Sequence, residues 1–266
     1  MNQSLLQNIN NELTEFYGHS LTEMNSSVLM DRVDSKFVVS AELLPRILQE
    51  ARRDYSLLDV KGITHSDYLN VYFDTDDFNY YHSHHNGKLN RVKVRHRHYV
   101  DTGTAFLEIK FKSNKQRTRK TRKQVSIDPH QALAEHGDFL AQHGISQPTM
   151  LRPSQVVGYK RICLVSEKLE ERVTLDTRAS FVDPESGCKI TLDDVVIIEL
   201  KQRRINRQSP FYRLLRSLGI RPQSFSKYCA GVSLTTDNKV KTNRFKSDIN
   251  KVAKVSSSIR TTRTGS

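Results

Sequence analysis

Arg91, Lys93, Arg95 and Arg97 occupy alternate positions in the segment RVKVRHRHY. In a strand, alternate side chains leave from one face, so four cations would crowd together. Such crowding is tolerated where water or a polyanion neutralises it. The residue types point to phosphate, because guanidinium offers a planar fork to its oxygens and lysine a point charge. The opposite face, Val92, Val94, His96 and His98, is half apolar and suited to packing outward. A second segment, TAFLEIKFKS, sets Phe106, Glu108, Lys110 and Lys112 against Leu107, Ile109 and Phe111. Charged faces recur with Arg161 in GYKRICLV, Arg172 and Asp176 in RVTLD, and Glu199 and Lys201 in IIELK.

Strands must hold these positions. The β-formers of VDSKFVVS and LNVYFDT predict two. KLNRVKVRHRHYV and TAFLEIKFKS predict a hairpin turning at Asp101-Thr102-Gly103. VVGYKRICLVS, ERVTLDTRASFVD and DDVVIIELKQRR predict three more. Ser40 is a candidate N-cap for AELLPRILQEARRD, whose start Pro45 delays. Leu43, Leu44, Ile47 and Leu48 form its core-facing stripe. Asp128-Pro129 opens a helix running to Gly144, and Ser209-Pro210 opens FYRLLRSL, closed by Gly219. The expected fold is α+β: an antiparallel eight-stranded β-barrel whose charged faces turn inward, with flanking short helices. Buried charges need partners, and a bound polyphosphate with a metal would provide them.

The 266 residues, 36% hydrophobic, suffice for a buried core. Asn238–Ser266 carries +7 of the formal +13, is rich in Ser, Thr and Asn, and reads as a disordered basic tail beginning near residue 235. No apolar run approaches membrane-spanning length, and MNQSLLQNINNELTEF lacks a secretory h-region. Residues 1–27 read as a helical extension. Cys163, Cys188 and Cys229 have no metal-ligand spacing, which suits reduced thiols in the cytoplasm. The run His82-Ser83-His84-His85 is followed by no second ligand pair, so it reads as a polar turn. The basic run 117–123 reads as solvated.

Asp34-Ser35-Lys36, YFDT (72–75), RHRHY (95–99), LEIK (107–110), GYKR, RVTLD, IELK (198–201) and FSKY (225–228) occur in an order that resembles the VTC domain. That domain is the polyphosphate polymerase module of the vacuolar transporter chaperone, within the triphosphate tunnel metalloenzymes (the CYTH-like superfamily). The resemblance spans roughly residues 28 to 234. It implies that Lys36 is the first tunnel lysine and that Arg95 and Arg97 grip phosphates. It implies the same service for Lys110, Arg161 and Arg172, and substrate binding by Lys201 and Lys227. Glu199 is implied as the ligand of Mn²⁺ or Mg²⁺. Hydrolytic relatives carry Glu-x-Glu-x-Lys on the first strand. Here the matching stretch is Arg32-Val33-Asp34-Ser35-Lys36, a departure that favours the polymerase branch.

The resemblance thus implies a metal-dependent transfer of the ATP γ-phosphate to a growing polyphosphate chain. In fungal relatives the domain is tied to membrane segments. A separate membrane protein is therefore the expected partner where product crosses a membrane, with the basic tail as a candidate tether and peripheral attachment as its result. One alternative is a triphosphatase of the same fold. Another is a non-catalytic polyanion- or nucleic-acid-binding module. Single-strand binders interleave aromatic residues with basic ones, and the 91–97 face has none.

Overall fold

The computed structural model describes residues 1–20, 33–60, 62–114, 118–236 and 240–256, and the backbone of 259–263. Helix α1 (Gln3–Thr14) and the short β1 (Gly18–Ser20) precede β2 (Val33–Ser40). The Ser40 hydroxyl accepts the Glu42 N–H, a 3₁₀ turn follows, and α2 (Leu44–Ala51) begins with Pro45 in its first turn. Then come β3 (Ser56–Asp59), β4 (Ser66–Asp74), α3 (Asn79–His85), β5 (Arg91–Tyr99), β6 (Thr104–Lys112) and β7 (Thr118–Val125). The predicted β5–β6 turn forms, with Gly103 at φ 60°. The helix expected from Pro129 is two, α4 (Pro129–Glu135) and α5 (Gly137–Gln142), broken at His136. Gly137 weakens the helix interior there. Strands β8 (Arg152–Ser166), β9 (Glu171–Val182), β10 (Cys188–Leu192) and β11 (Val195–Gln202) follow, then α6 (Pro210–Ser217), α7 (Lys227–Thr235), α8 (Lys246–Val255) and β12 (Ile259–Arg263).

Eight strands pair antiparallel in the order β2, β11, β9, β8, β4, β5, β6, β7. The sheet curls: Lys110 on β6 feels Lys36 and Asp34 on β2 and Glu199 on β11, strands it does not pair with. The expected closed barrel is corrected in one respect. Among the described residues no ladder joins β2 to β7. Strand β7 carries Arg119, Lys120, Arg122 and Lys123, and such a charged edge resists further pairing.

Alternation sorts the side chains into two outer cores and one lumen. Phe37, Val39, Ile162, Leu164, Val173, Leu175, Ile198 and Leu200 point outward and are covered by α1, α2 and α6. Leu44, Ile47 and Leu48 supply the α2 stripe and are fully buried. Each such side chain contributes roughly 1.5–3 kcal/mol. Val71, Phe73, Val94, Leu107 and Ile109 form a second outer core with Leu140 of α5. His96, on the same outward face, is buried and bonded to the Ser126 carbonyl.

One end of the lumen, here the lower end, is filled from inside. Val38, Val157, Phe181, Val195 and Ile197 pack there against Tyr228, Cys229 and Val232 of α7. Phe245 and Val252 join this core, with Ile249 packed against it. The expectation of a disordered tail is thereby corrected for the described part of it. Phe245, Ile249 and Val252 recur at helical spacing, and β12 pairs with β10. Residues 237–239, 257–258 and 264–266 of that segment lie outside the described residues.

Candidate active site

Register places the charged side chains on one surface. Across β5 and β6, Arg95 faces Glu108 and Lys93 faces Lys110. Arg95 Nε donates to Glu108 Oε2 at 2.6 Å, and Lys120 Nζ of β7 lies 2.6 Å from Oε1. Arg97 Nε donates to Asn70 Oδ1 at 2.9 Å, and its Nη2 to the Tyr159 hydroxyl at 3.1 Å. Burial alone would raise the Glu108 pKa, but Arg95, Arg97 and Lys120 outweigh it and hold the carboxyl well below its usual range. Two guanidinium groups are thus fixed side by side in a fork-shaped cradle.

A second station lies on β8 and β9. Arg161 donates to both oxygens of Asp176, at 2.6 and 2.8 Å, and Lys227 at the start of α7 shares that carboxylate. Asp176 is almost fully buried. Burial opposes its charge, yet Arg161 and Lys227 hold its pKa well below normal. Tyr68 and Tyr159 stack at 5.2 Å, and the Arg161 guanidinium lies 4.9 Å from the Tyr68 ring centre. Arg172 Nε points at Cys163 Sγ, 3.1 Å away.

Strands β2 and β11 form the third station. Glu199 sits in register with Lys36, and Lys201 with Asp34. Lys201 Nζ lies 3.0 Å from Glu199 Oε2, and Asp34 hydrogen-bonds Glu199. Two carboxyl groups bond in this way only with a proton between them. A divalent cation with oxygen ligands takes the same place and draws its remaining ligands from phosphate and water. Asp34 and Glu199 therefore fit Mn²⁺ or Mg²⁺.

The lower lumen holds cations without such matching. Lys36 Nζ donates to the Phe225 carbonyl at 3.0 Å and Lys93 Nζ to Ser226 Oγ at 2.8 Å. Burial, aided by Lys36, Arg91 and Arg95, lowers Lys93 to about 8. Desolvation by the lumen wall, with Lys36 and Lys93, lowers Lys110 to about 8 against the opposing pull of Glu199 and Asp34. Mutual depression of this kind marks a place where negative charge is in deficit.

A family model described as the VTC domain matches residues 31–236. The chain belongs to the VTC domain family. Its eight-stranded antiparallel sheet with a charged lumen is the triphosphate tunnel arrangement. No match is found among curated proteins. Among solved structures, the VTC domain is similar to a candidate adenylate cyclase from Bacillus halodurans, at 17% identity and a TM-score of 0.49, covering 74% of this chain and 96% of that one. It is also similar to a candidate adenylyl cyclase from Hippeastrum described as having a dominant triphosphatase activity. That match is 13% identical with a TM-score of 0.44, covering 78% of this chain and 98% of the other.

All nine residues singled out in the sequence face the lumen of this VTC domain. Arg95, Arg97 and Lys110 line one wall, Arg161 and Arg172 the next, and Lys36, Glu199 and Lys201 the third, while Lys227 enters on α7. Arg32, which replaces the first carboxylate of the hydrolytic motif, lies outside the described residues. Sequence reasoning missed Lys120. The run 117–123 was expected to be solvated, and Arg117 is not among the described residues. Lys120 instead reaches inward to Glu108, and Arg122 lies 4.8 Å from the Phe106 ring centre. Their spacing of two was the available signal, masked by the charges between them.

Proposed function

We propose that this VTC domain is a metal-dependent polyphosphate polymerase. In this reading Arg95, Arg97, Arg161 and Arg172 hold the phosphates of ATP, with Lys36, Lys110, Lys201 and Lys227 neutralising the rest. A terminal oxygen of the polyphosphate chain attacks the γ-phosphorus of ATP. The bond from that phosphorus to the β,γ-bridging oxygen breaks, ADP leaves, and the chain gains one phosphate. The nucleophile is already anionic, so the positioned cations act by aligning two like-charged reactants and absorbing their repulsion. Asp34 and Glu199 would hold Mn²⁺ or Mg²⁺, which supplies further charge neutralisation at the phosphate oxygens.

The observation that carries this reading is how the lumenal carboxylates are used. Glu108 and Asp176 are each occupied by arginine and lysine, so they serve the cations. Among the described lumenal carboxylates, Asp34 and Glu199 lie together. This supports phosphate alignment over an acid-rich hydrolytic centre. The triphosphatase reading draws on the same carboxyl pair, which could bind a metal-borne water.

Product analysis separates the two. Purified protein with ATP, Mn²⁺ or Mg²⁺ and a short polyphosphate primer should give chains that lengthen with time on a gel. Release of free phosphate without chains would establish the triphosphatase instead.

A further inference from the structure

Helix α3 brings the histidine run to the lower end of the lumen. His84 Nδ1 is buried and has no hydrogen-bond partner. The charged groups acting on it most are Lys93, Arg91, Lys36 and Arg244, all cations. Burial and these neighbours push its pKa down to about 2, so His84 is neutral. Among the described residues, none of the four cations makes an ion pair. Arg244 reaches the cluster from outside the span matched by the family model. Its guanidinium lies over Gly87, 2.5 Å from where a Cβ would stand, and the φ of +67° at that position favours glycine. Its backbone is seated by an N–H bond to His85 Nε2 at 3.3 Å. Arg244 is exposed and Lys93 half-buried, so the cluster reaches the surface, and Lys93 joins it to Lys110 across the β5–β6 pair.

Crowding cations and an unsatisfied imidazole together is costly unless an anion repays it. The structure assigns His84, Arg91, Lys93 and Arg244 to a further oxyanion site at the lower end of the lumen. This site takes phosphate groups of a polyphosphate chain beyond the triphosphate held by Arg95, Arg97 and Arg161. The assignment rests on the polyphosphate reading above. It gives that reading a consequence the triphosphate station alone does not have: affinity rises with chain length. Neutral His84 in its Nδ1–H form donates to a phosphate oxygen, and the phosphate neutralises the cations around it.

The test is isothermal titration of the full chain with tripolyphosphate and with a defined long polyphosphate. Wild type, His84→Ala, Arg244→Gln and Arg244→Lys are compared, with thermal unfolding run on each. The wild type should prefer the long chain. His84→Ala and Arg244→Gln should each weaken long-chain binding about tenfold, the size of a lost charge-assisted contact, and leave tripolyphosphate binding unchanged. Arg244→Lys should keep the preference.

Equal weakening at both lengths, or no weakening at either, would overturn the site while leaving the polymerase reading intact. So would Arg244→Lys behaving like Arg244→Gln, since packing over Gly87 would then be the cause. A wild-type protein that binds tripolyphosphate but shows no preference for length would also overturn it. A wild type that binds neither would overturn both readings together.

Discussion

The two ends of the lumen treat positive charge in opposite ways. In the upper part, Arg95, Arg97 and Lys120 share Glu108, and Arg161 and Lys227 share Asp176. In the lower part, Lys36 and Lys93 donate to the neutral oxygens of Phe225 and Ser226, and Lys110 faces Lys93, with the shared Asp34–Glu199 pair to oppose them. A matched cation is held in place before substrate arrives, which favours aligned, reproducible contacts. An unmatched one is poorly placed energetically until substrate arrives, so it contributes affinity. The difference separates orientation above from attraction below.

Removing the upper forks should have the largest effect. Arg95→Ala/Arg97→Ala should lower chain formation by at least about 10³-fold, beyond the loss typical of one electrostatic donor. Retention of near wild-type rates on a polyphosphate gel would break the division between the two ends. Glu199→Gln comes next. It removes a ligand of the proposed cation and should cost about 10²-fold in rate. A variant that polymerises as well as wild type across a Mn²⁺ titration would remove Glu199 from that role.

Glu108→Gln sharpens the contrast through stability. It leaves buried arginines without their counter-charge, so unfolding should cost about 3–5 kcal/mol less. Added tripolyphosphate should recover part of that loss in a thermal melt. An unchanged melting temperature would mean that Glu108 does not anchor the forks.

The lower end should reveal itself through pH. Lys93 and Lys110 titrate near 8 when free, and bound phosphate raises both values. Affinity is therefore full below about pH 8 and falls as pH rises through it, by up to tenfold per unit for each lysine that deprotonates. Long-chain polyphosphate binding that stays flat into the alkaline range would show these lysines to be charge-matched after all. The smallest effect is Lys93→Met, which removes like-charge repulsion. It should stabilise the ligand-free protein by about 1 kcal/mol while weakening phosphate binding.

Much of the upper lumen was legible because it is written at a spacing of two. RVKVRHRHY and LEIK declare their faces without reference to the rest of the chain. What could not be read was pairing at a distance. Nothing in GYKR says that Arg161 meets Asp176, because that depends on the β8–β9 register, which shifts at a bulge between Gly158 and Lys160. Lys120 was hidden for a similar reason, since in TRKTRKQV every choice of face is charged. The lower end was least legible. It is assembled from α3, α7 and the segment around Arg244, whose apolar positions Phe245, Ile249 and Val252 are diluted by polar neighbours. The open seam between β2 and β7 also lies beyond any local pattern.

Helix α7 follows all eight strands of the lumen in the chain. Lys36 donates to a carbonyl 189 positions later in the chain, and Asp74 is bonded by Tyr228, 154 positions later. Contacts so distant in sequence form slowly and only after the intervening strands exist. On the ribosome, β2 to β11 emerge before the helix that supplies Ser226, Lys227 and Tyr228. A nascent chain therefore carries the exposed basic face of β5 well before it has the plug that organises it. During that interval Lys93 lacks the Ser226 hydroxyl that receives it, and docking of α7 completes that end of the lumen.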